Sequence, residues 1–530
     1  MKFLAKLFAT LLILVTIFIL MYLGLVYYLG VKSKESIDHE VAFLAGTGFF
    51  KVEDYRYAKG WFSSEAQVKV SIRKNILDTI HAEKFPEILG KVLSQPVLLK
   101  THIQHGPFVK RLFLRGYANT EVVFQKGVEQ EVVKFFGTKH PLQIENILRL
   151  SGAGVVDFNL EPMDYKELSG IQIKFSGLRG QLNYQKGYEE YAWNMNLPSF
   201  CIKFADKGKV FLTGLVYRSN NYPSQDSVDT GFMEVSFDEL VANAQLEDQI
   251  RLGLSDLLGL ASKVRLSKFL NPYLMLAKLD IQLKDFLLHT QVDQNGSLMR
   301  MEGNMGLNEL RLNDQNYGPF RIKLSAQHLN GRALQLLKSY LSALADENLS
   351  FDQWQEKLLA HIRGPAVRLF TDNPSFELKE LFFQLPEGEV KVHGTLSFEG
   401  LTPQDLSNFD ALITHAHANI EYFFPEVFAI NLFKNQITSL LSSGKESIGS
   451  NDLDSILKTA DYLVKSSIAG FSASHYIQLE DGNLKGSIQL KDGRVYFNGL
   501  EYKREETDID DLYSKEDAKR LEQNSSVKEQ

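Results

Sequence analysis

The chain has little of several residue types on which whole classes of protein depend. It contains one cysteine, Cys201, among 530 residues, which excludes an intramolecular disulfide and a cysteine-built metal cluster. Its 14 prolines and 37 glycines are too few for a low-complexity scaffold. Neither sign of charge dominates, since 58 Lys and Arg stand against 65 Asp and Glu. A nucleic-acid partner is therefore not expected, because such proteins usually carry a basic excess.

Long hydrophobic runs are also scarce, with one exception at the N-terminus. The 23 residues of Leu7–Leu29 carry no charge, and as a helix they would reach about 35 Å, enough to cross a hydrocarbon core of about 30 Å. No later stretch reaches 18 uncharged apolar residues. The sequence therefore predicts one membrane span followed by a body of ordinary globular composition, with 44% hydrophobic and 23% charged residues.

This run is interpreted as an uncleaved signal anchor. The apolar core of a cleaved signal peptide, which is the alternative, is about 7–15 residues long and ends in a small-x-small site. Here the run is longer and no such site follows it directly. The residues taken to represent the anchor are Leu7, Leu12, Phe18, Leu23 and Leu29.

The flanking charges and the cysteine content predict where the body lies. Lys2 and Lys6 precede the run, which favours a cytoplasmic N-terminus under the positive-inside rule. An exported chain with almost no cysteine fits a Gram-negative periplasm. The predicted location is the inner membrane, with a single pass and the bulk of the chain in the periplasm.

The exported part is predicted to be α+β, an antiparallel, sheet-rich body with interspersed helical pairs and room for an elongated shape. Four segments are predicted: a cytoplasmic stub and transmembrane signal anchor (1–34), an N-terminal periplasmic α+β region (35–245), a C-terminal periplasmic α+β region (246–500) and a charged mobile tail (501–530).

The region from about Val41 to Val123 is predicted to open with a strand, because polar and apolar residues alternate over residues 67–72. Further strands are predicted at Val97–Ile103 and Val109–Gly116, after a helical stretch near Ile76–Val92. A run of strands is predicted from Gly154 to Asp238. The further elements are a helical block at Leu246–Leu276, helices at Arg332–Ala345, Phe351–Ile362, Val427–Leu441 and Leu453–Ser467, a hairpin of Phe376–Leu385 with Val390–Phe398, and a last hairpin of Ile477–Leu490 with Arg494–Asn498.

The clearest strand pattern lies in the middle of the chain. Residues 298–307 alternate with period two, and Asn295-Gly296 just before them is a strong hairpin signal. Lys278–Val292 is the predicted partner strand, with a bulge near Asp285-Phe286.

One face of that strand is the candidate binding surface. Met299, Met301, Met305 and Leu307 share this face, and methionine recurs on apolar surfaces that adapt to irregular ligands. The prediction is an apolar groove along a curved sheet. The alternative is that the same side chains form the ordinary core of one sheet.

Catalytic signatures are missing. The chain has no nucleophile elbow, no zinc-protease helix and no phosphate-binding loop of the usual spacing. His415 and His417 are interpreted as two solvated histidines at a β edge, and the alternative is a metal half-site on one strand face. A catalytic role for His102 or His105 is not favoured, and Cys201 is interpreted as a buried, inert thiol. We predict no cofactor, no metal and no enzyme activity.

Short motifs in a fixed order give a resemblance to a known family. The motifs are Gly60-Trp61-Phe62-Ser63-Ser64, His105-Gly106-Pro107-Phe108, Gly177-Leu178-Arg179-Gly180, Phe237-Asp238-Glu239-Leu240, Leu385-Pro386-Glu387-Gly388 and Asp492-Gly493-Arg494-Val495-Tyr496-Phe497-Asn498-Gly499. Over most of residues 1–500 the chain resembles the YdgA-like bacterial proteins of unknown function. The resemblance implies a Gram-negative inner-membrane protein facing the periplasm, and it supplies no catalytic residues. A looser, architectural likeness is to the AsmA-like envelope proteins, which hold lipid in grooves.

The leading hypothesis is a non-enzymatic, membrane-anchored envelope protein that binds a lipid or another apolar ligand in a β-sheet groove. The first alternative is a scaffold that forms a homo-oligomer or pairs with another envelope protein. The second is an envelope hydrolase, which would need a cleft with carboxylates of perturbed pKa. The expected partners are the inner-membrane bilayer, a lipid ligand and such a protein partner.

Overall fold

The structure is a computed structural model that describes residues 2–79, 90, 93–167, 170–205, 208–224, 228, 230–244, 279–312, 315–345, 351–431 and 450–502. The predicted helical block at 246–276, most of the helix predicted at 427–441 and the tail beyond residue 502 lie outside the described residues. The α+β fold class is confirmed, with an apolar N-terminal helix followed by a large antiparallel sheet.

Helices interrupt the succession of strands along the chain. They are α1 Lys2–Gly46, α2 Lys74–Thr79, α3 Lys126–Phe136, α4 Gly331–Ala345, α5 Phe351–Arg363, α6 Arg368–Thr371, α7 Phe409–His415 and α8 Ser450–Ala473, with single 3₁₀ turns at Lys186–Tyr188 and Asp405–Ser407.

The strands follow one another closely along the chain. Those before residue 190 are β1 Phe50–Lys59, β2 Ser63–Ile72, β3 Val97–His105, β4 Phe108–Val109, β5 Leu112–Phe113, β6 Gly116–Val123, β7 Leu142–Leu148, β8 Gly154–Leu160, β9 Met163–Lys166, β10 Ile171–Phe175 and β11 Leu178–Tyr184. Those after it are β12 Tyr191–Phe204, β13 Gly208–Tyr222, β14 Thr230–Ala244, β15 Leu279–Asn295, β16 Leu298–Leu307, β17 Glu309–Leu312, β18 Gln315–Tyr317, β19 Phe320–Asn330, β20 Ser375–Leu385, β21 Gly388–Phe398, β22 Ala416–Pro425, β23 Gln478–Glu480, β24 Asn483–Lys491, β25 Arg494–Phe497 and β26 Leu500–Glu501.

All of these strands except β4 and β5 form one sheet of 24 strands. Its main path is β1-β2-β3-β6-β7-β8-β11-β12-β13-β14-β15-β16-β19-β20-β21-β22-β24-β25-β26, and every pairing is antiparallel. The path follows chain order, so the sheet is a meander whose neighbours in sequence are neighbours in space. It runs without a break across the segment boundary predicted near residue 245, because β14 pairs with β15.

Several local predictions are confirmed. The β15–β16 hairpin turns at Asn295-Gly296, where Gly296 has φ 61°, and Asp285 interrupts β15 with φ 54°. The register of β15 with β14, β16 and β17 does not shift at Asp285, so this residue kinks the strand without the extra residue of a bulge, and the predicted bulge is wrong. The hairpin of β20 and β21 forms as predicted, and β20 pairs with β19 as a meander neighbour.

The strand predicted at the opening of the region from about Val41 to Val123 is confirmed as β2, which contains the alternating residues 67–72, although α1 continues through Gly46 before the first strand begins. A second local prediction is wrong. The strand predicted at Val109–Gly116 is instead the small hairpin β4–β5 followed by the start of β6. Gly106-Pro107 ends β3 and turns the chain out into that hairpin.

The two parts of helix α1 lie in different surroundings. Its N-terminal part, through about Leu25, exposes its large apolar side chains, whereas Val26, Leu29 and Ser33 are buried against the body. One described helix is therefore long and apolar enough to span a membrane, and the same helix then continues into the protein core.

Polar contacts fix the C-terminal half of α1 to the sheet. Arg115 donates to the Ser36 hydroxyl at 2.8 Å, and Tyr55 donates to the Asp38 carboxylate at 2.6 Å. Asn146 donates to the Glu40 carboxylate at 2.8 Å. Part of the Glu40 residue stays accessible, but its carboxyl group lies within the body, and burial raises its pKa to about 7 despite the hydrogen bond from Asn146.

Candidate functional site

One face of the central sheet is an apolar surface built from directly paired residues. Residues opposite each other on antiparallel strands point to the same face. Starting at β12, such pairs connect nine strands in a row. We call this row the apolar ladder: Met195, Tyr217, Val235, Leu288, Met305, Ile322, Leu381, Val392 and Tyr422.

The apolar ladder is long enough for more than one acyl chain. Nine strands at about 4.8 Å spacing extend over about 38 Å, whereas one leaflet of a bilayer holds an acyl chain within about 15 Å. Each of the nine residues is partly exposed. The ladder is therefore a continuous apolar strip that is accessible along its length.

Neighbouring rows widen this strip. Leu324 and Ile420 lie two residues from ladder positions on β19 and β22, and period-two alternation puts them on the same face. Leu324 is 47% exposed and Ile420 is 39% exposed. Gly303, which pairs with Leu324, has open space where a Cβ would lie. Large exposed side chains beside an open glycine position make a shallow apolar trough.

The opposite face of the same strands is charged. Arg218, Glu234, His289, Asn304, Lys323 and Glu380 form the corresponding row there. Arg218 and Lys323 make ion pairs with Glu234 at 3.4 Å and Glu380 at 2.6 Å. These exposed pairs contribute little to stability individually, but they keep this face in water. The sheet is therefore amphipathic, and one of its two faces is suited to an apolar ligand.

Helices cover the apolar face at its two ends. At the start of the sheet, α1 packs on Leu182 and Val156, which pair with each other and lead to Trp193 on β12. At the far end, Val464 and Ile468 of α8 pack on Leu484 of β24. Between these ends, α4 packs through Leu334 on Met299 and Met301 at the hairpin end of β16. The middle strands, β12 to β16, expose both faces in part.

An apolar cleft of about 320 Å³ adjoins this face at the β21–β22 end. Phe398 of β21 lies in its lining, two residues from Leu396 on the apolar face, and its ring packs edge-on against Phe370 at 5.8 Å. The rest of the lining comes from α5, the 3₁₀ turn before α7, α7 and the start of β22: Leu359, Ile362, Arg363, Leu406, Leu412, Ile413 and Ala416. The cleft thus extends the apolar surface from the sheet to these helices.

The structure separates the four residues predicted for the groove. Met305 lies on the apolar ladder, and Leu307 follows it on the same face. Met301 is partly buried beside Val292. Met299 is 1% exposed and packs with Leu329 under α4, so it belongs to the core at the edge of the trough.

Sequence reasoning missed the β19 to β22 half of the surface. Its signal was present in the alternation of residues 320–326 and 390–396, but single strands do not reveal which neighbours they pair with. The predicted anchor residues also differ among themselves. Leu7, Leu12 and Phe18 are exposed, Leu23 is partly exposed, and Leu29 is buried against the body.

The histidines do not form a metal site. His415 ends helix α7 and His417 lies in β22, so the metal half-site on one strand face, which the sequence did not favour, does not form. Among the described residues, no group of three or more His, Cys, Asp or Glu is placed to hold a metal ion. Cys201 is free and only partly buried.

A serine–histidine pair does occur, at the junction with α1. The Ser64 hydroxyl and His105 Nε2 are 2.8 Å apart, and His105 Nδ1 lies 3.0 Å from the Trp61 carbonyl oxygen. Both side chains are buried, and the ring lies against Gly30 of α1. Burial lowers the pKa of His105, so the ring is held neutral. The pair is enclosed by its own elements and serves as packing between α1 and the sheet.

Comparisons with known proteins identify a family for the chain but no described function. The sequence model of one family, described as a bacterial protein of unknown function (DUF945), matches residues 4–502. No curated protein and no solved structure matches the chain.

Proposed function

The chain belongs to the DUF945 family of bacterial proteins of unknown function, and we propose that it is a membrane-anchored envelope protein that holds the acyl chains of membrane lipid on the apolar face of its sheet. The observation that carries this proposal is the apolar ladder, in which nine partly exposed apolar residues line one face while charged residues occupy the other. An apolar strip of this length, left uncovered by the described part of the chain, would be costly in water without a ligand.

Continuity with the membrane helix selects lipid as the ligand. The face that carries the ladder is the face on which α1 packs at the start of the sheet. Beyond its exposed apolar segment, helix α1 continues into the body on that same side of the sheet. An acyl chain that leaves the bilayer along α1 would therefore meet apolar surface on its way to the trough.

The proposed orientation has the N-terminus in the cytoplasm and the body in the periplasm, as Lys2 and Lys6 favour. Cys201 is the single cysteine and is partly exposed, which makes it a native reporter. A membrane-impermeant maleimide should label it in cells whose outer membrane is permeabilised. Labelling that requires rupture of the inner membrane would reverse the orientation.

Photolabelling with lipid tests the ligand directly. The full chain is placed in vesicles that contain a phospholipid with a diazirine in its acyl chain, irradiated and digested, and labelled peptides are identified by mass spectrometry. We expect label on α1, which serves as an internal positive control, and also on β16 and β19. Label on α1 alone would contradict the proposal.

Two leucines make a matched pair for this experiment. Leu324 is 47% exposed on the apolar face, and Leu287 is 42% exposed on the charged face. Leu324→Glu should reduce labelling of β16 and β19 severalfold, whereas Leu287→Glu should leave it unchanged. Equal labelling of both variants would show that the apolar face does not hold the lipid. Protein–protein crosslinks from position 324 in place of lipid label would favour the scaffold alternative.

A further inference from the structure

Two loops beside the membrane helix expose large apolar side chains that belong neither to the trough nor to a core. One is the turn between β1 and β2, which carries Trp61 and Phe62. The other is the β4–β5 hairpin, which carries Phe108, Leu112 and Phe113. We call these five residues the aromatic collar. Each is between 50% and 69% exposed, which is unusual for five large apolar side chains on one side of a protein in water.

Contacts with α1 show at which position along the helix axis the first loop lies. The Trp61 ring lies 5.3 Å from the ring of Tyr27, and the Lys59 ammonium lies 3.4 Å from the centre of the same Tyr27 ring. Tyr27 is in the turn of α1 where burial begins, since Val26 is buried and the large apolar residues before it are exposed. The first loop therefore lies at the level where the helix leaves its apolar environment.

The path of β3 shows that the hairpin lies at the same level or beyond it. Ile103 shares a core with Ile37, whereas His105 lies against Gly30 and Gly106 lies against Leu29. Moving three residues forward along β3 thus moves eight residues back along α1. The hairpin that follows Gly106 continues in that direction, toward the exposed apolar part of the helix.

We propose that the aromatic collar inserts into the interface of the membrane that α1 crosses. The body is then held against the bilayer surface and does not move freely about the end of the helix. Aromatic side chains with adjacent basic residues are the usual composition of a membrane-interface belt. Lys59 precedes the first loop, and Lys110 and Arg111 form the tip of the second, with φ of 49° and 64°. These cations suit anionic lipid head groups, which attract Lys and Arg near the surface.

The buried contacts between the two loops and α1 also fix the orientation of the body relative to the helix. The Ser64–His105–Trp61 contacts and the packing of the His105 ring on Gly30 hold both loops to α1. The collar and the helix therefore form one rigid unit, and its apolar surface is continuous from the exposed helix to the loops. A bilayer covers that combined surface, whereas a partner protein would have to leave room for the lipid around α1.

Fluorescence quenching by brominated lipid tests the collar in the full chain. The chain has 3 tryptophans, so Trp193→Phe with Trp354→Phe leaves Trp61 as the reporter for the first loop. For the hairpin, Phe108→Trp is added to a chain in which all three native tryptophans are replaced by phenylalanine. The control is Leu287→Trp in the same chain without native tryptophans, because Leu287 lies on the charged face and not on the surface proposed to hold lipid. Each chain is placed in phosphatidylcholine–phosphatidylglycerol vesicles with bromines near the head-group end of the acyl chains.

We expect emission from Trp61 and from the residue introduced by Phe108→Trp to fall about twofold, because both rings would lie at the depth of the interfacial belt. Emission from the residue introduced by Leu287→Trp should hardly change. If the reporters are quenched by aqueous iodide but not by brominated lipid, the collar is exposed to water. Reporters protected from both quenchers would show that protein covers it. Either result overturns the proposal, and two independent reporter sites keep the test valid if one variant fails to fold.

Discussion

Two regions of one sheet carry similar alternating sequences and end in different states. In the first region, strands β2 and β3 bury every second residue, and Ile103 is 0% exposed. In the central region, strands β13 to β16 have the same kind of alternation, yet ladder residues such as Tyr217 and Met305 stay partly exposed. The difference is the cover: α1 lies on the first region, whereas the described helix α4 reaches the central region only at the hairpin end of β15 and β16, beside Met299 and Met301. Alternation marks an apolar face, but a second layer decides whether it becomes core.

The energetics of the two regions should differ accordingly. Complete burial of a large aliphatic side chain contributes about 1.5–3 kcal/mol, in proportion to the apolar area removed from water. A residue that keeps much of its exposure contributes correspondingly less. The first region should therefore be the stable part of the molecule, and the central region should gain stability when a ligand covers it.

Truncating one residue in each region should give the largest contrast. Ile103→Ala leaves a cavity in a closed core and should cost about 3 kcal/mol. Met305→Ala on the open face should cost about 0.5 kcal/mol, because little buried area is lost. Amide hydrogen exchange in β3 and β16 measures the free energy of local opening in each region. Equal losses at the two sites would mean that the central face is covered in solution.

Two glycines of α1 test how firmly the covering helix is seated. A Cβ at Gly30 would lie 2.5 Å from the His105 ring, whereas a Cβ at Gly24 would meet nothing within 4 Å. Because His105 is held by Ser64 and Trp61, its ring cannot easily move aside. Gly30→Val should destabilise the first region by about 2 kcal/mol, as read by exchange in β3. Gly24→Val is the matched control, and it should leave exchange unchanged; a neutral Gly30→Val would mean that α1 is loosely docked.

The buried carboxyl of α1 should make the first region pH-dependent and leave the central region unaffected. The pKa of Glu40 is raised from 4.5 to about 7, so the folded state binds this proton more tightly than the unfolded state does. Its contribution to stability is therefore complete below about pH 4.5 and is lost as the pH rises through about 7.

Between pH 5 and pH 8 the first region should lose on the order of 1–2 kcal/mol of stability from this group, less than a fully enclosed carboxyl would give. Glu40→Gln removes the titrating proton but keeps a polar partner for Asn146, so the difference in β3 exchange between the two pH values should shrink. A pH dependence that survives Glu40→Gln would place the titrating group elsewhere.

Prediction from sequence succeeded where the signal is local. The apolar run of α1, the Asn295-Gly296 turn, the strand with the alternating residues 67–72 and the helices now called α4, α5 and α8 each follow from residues close together in the chain. It failed where a distant surface decides the outcome. Leu29 was predicted to face lipid and instead packs at Gly106.

The candidate site shows the same division. Sequence alone determined that the chain begins with a helix able to cross a membrane and that residues 298–307 present a methionine-rich face, because both depend only on composition and period. Only the tertiary structure decided that Met299 is core while Met305 is accessible, and that Ile322, Leu381 and Val392 extend the same surface. The physical reason is that strand pairing joins side chains far apart in sequence, and burial depends on which helix, if any, covers the rows that result.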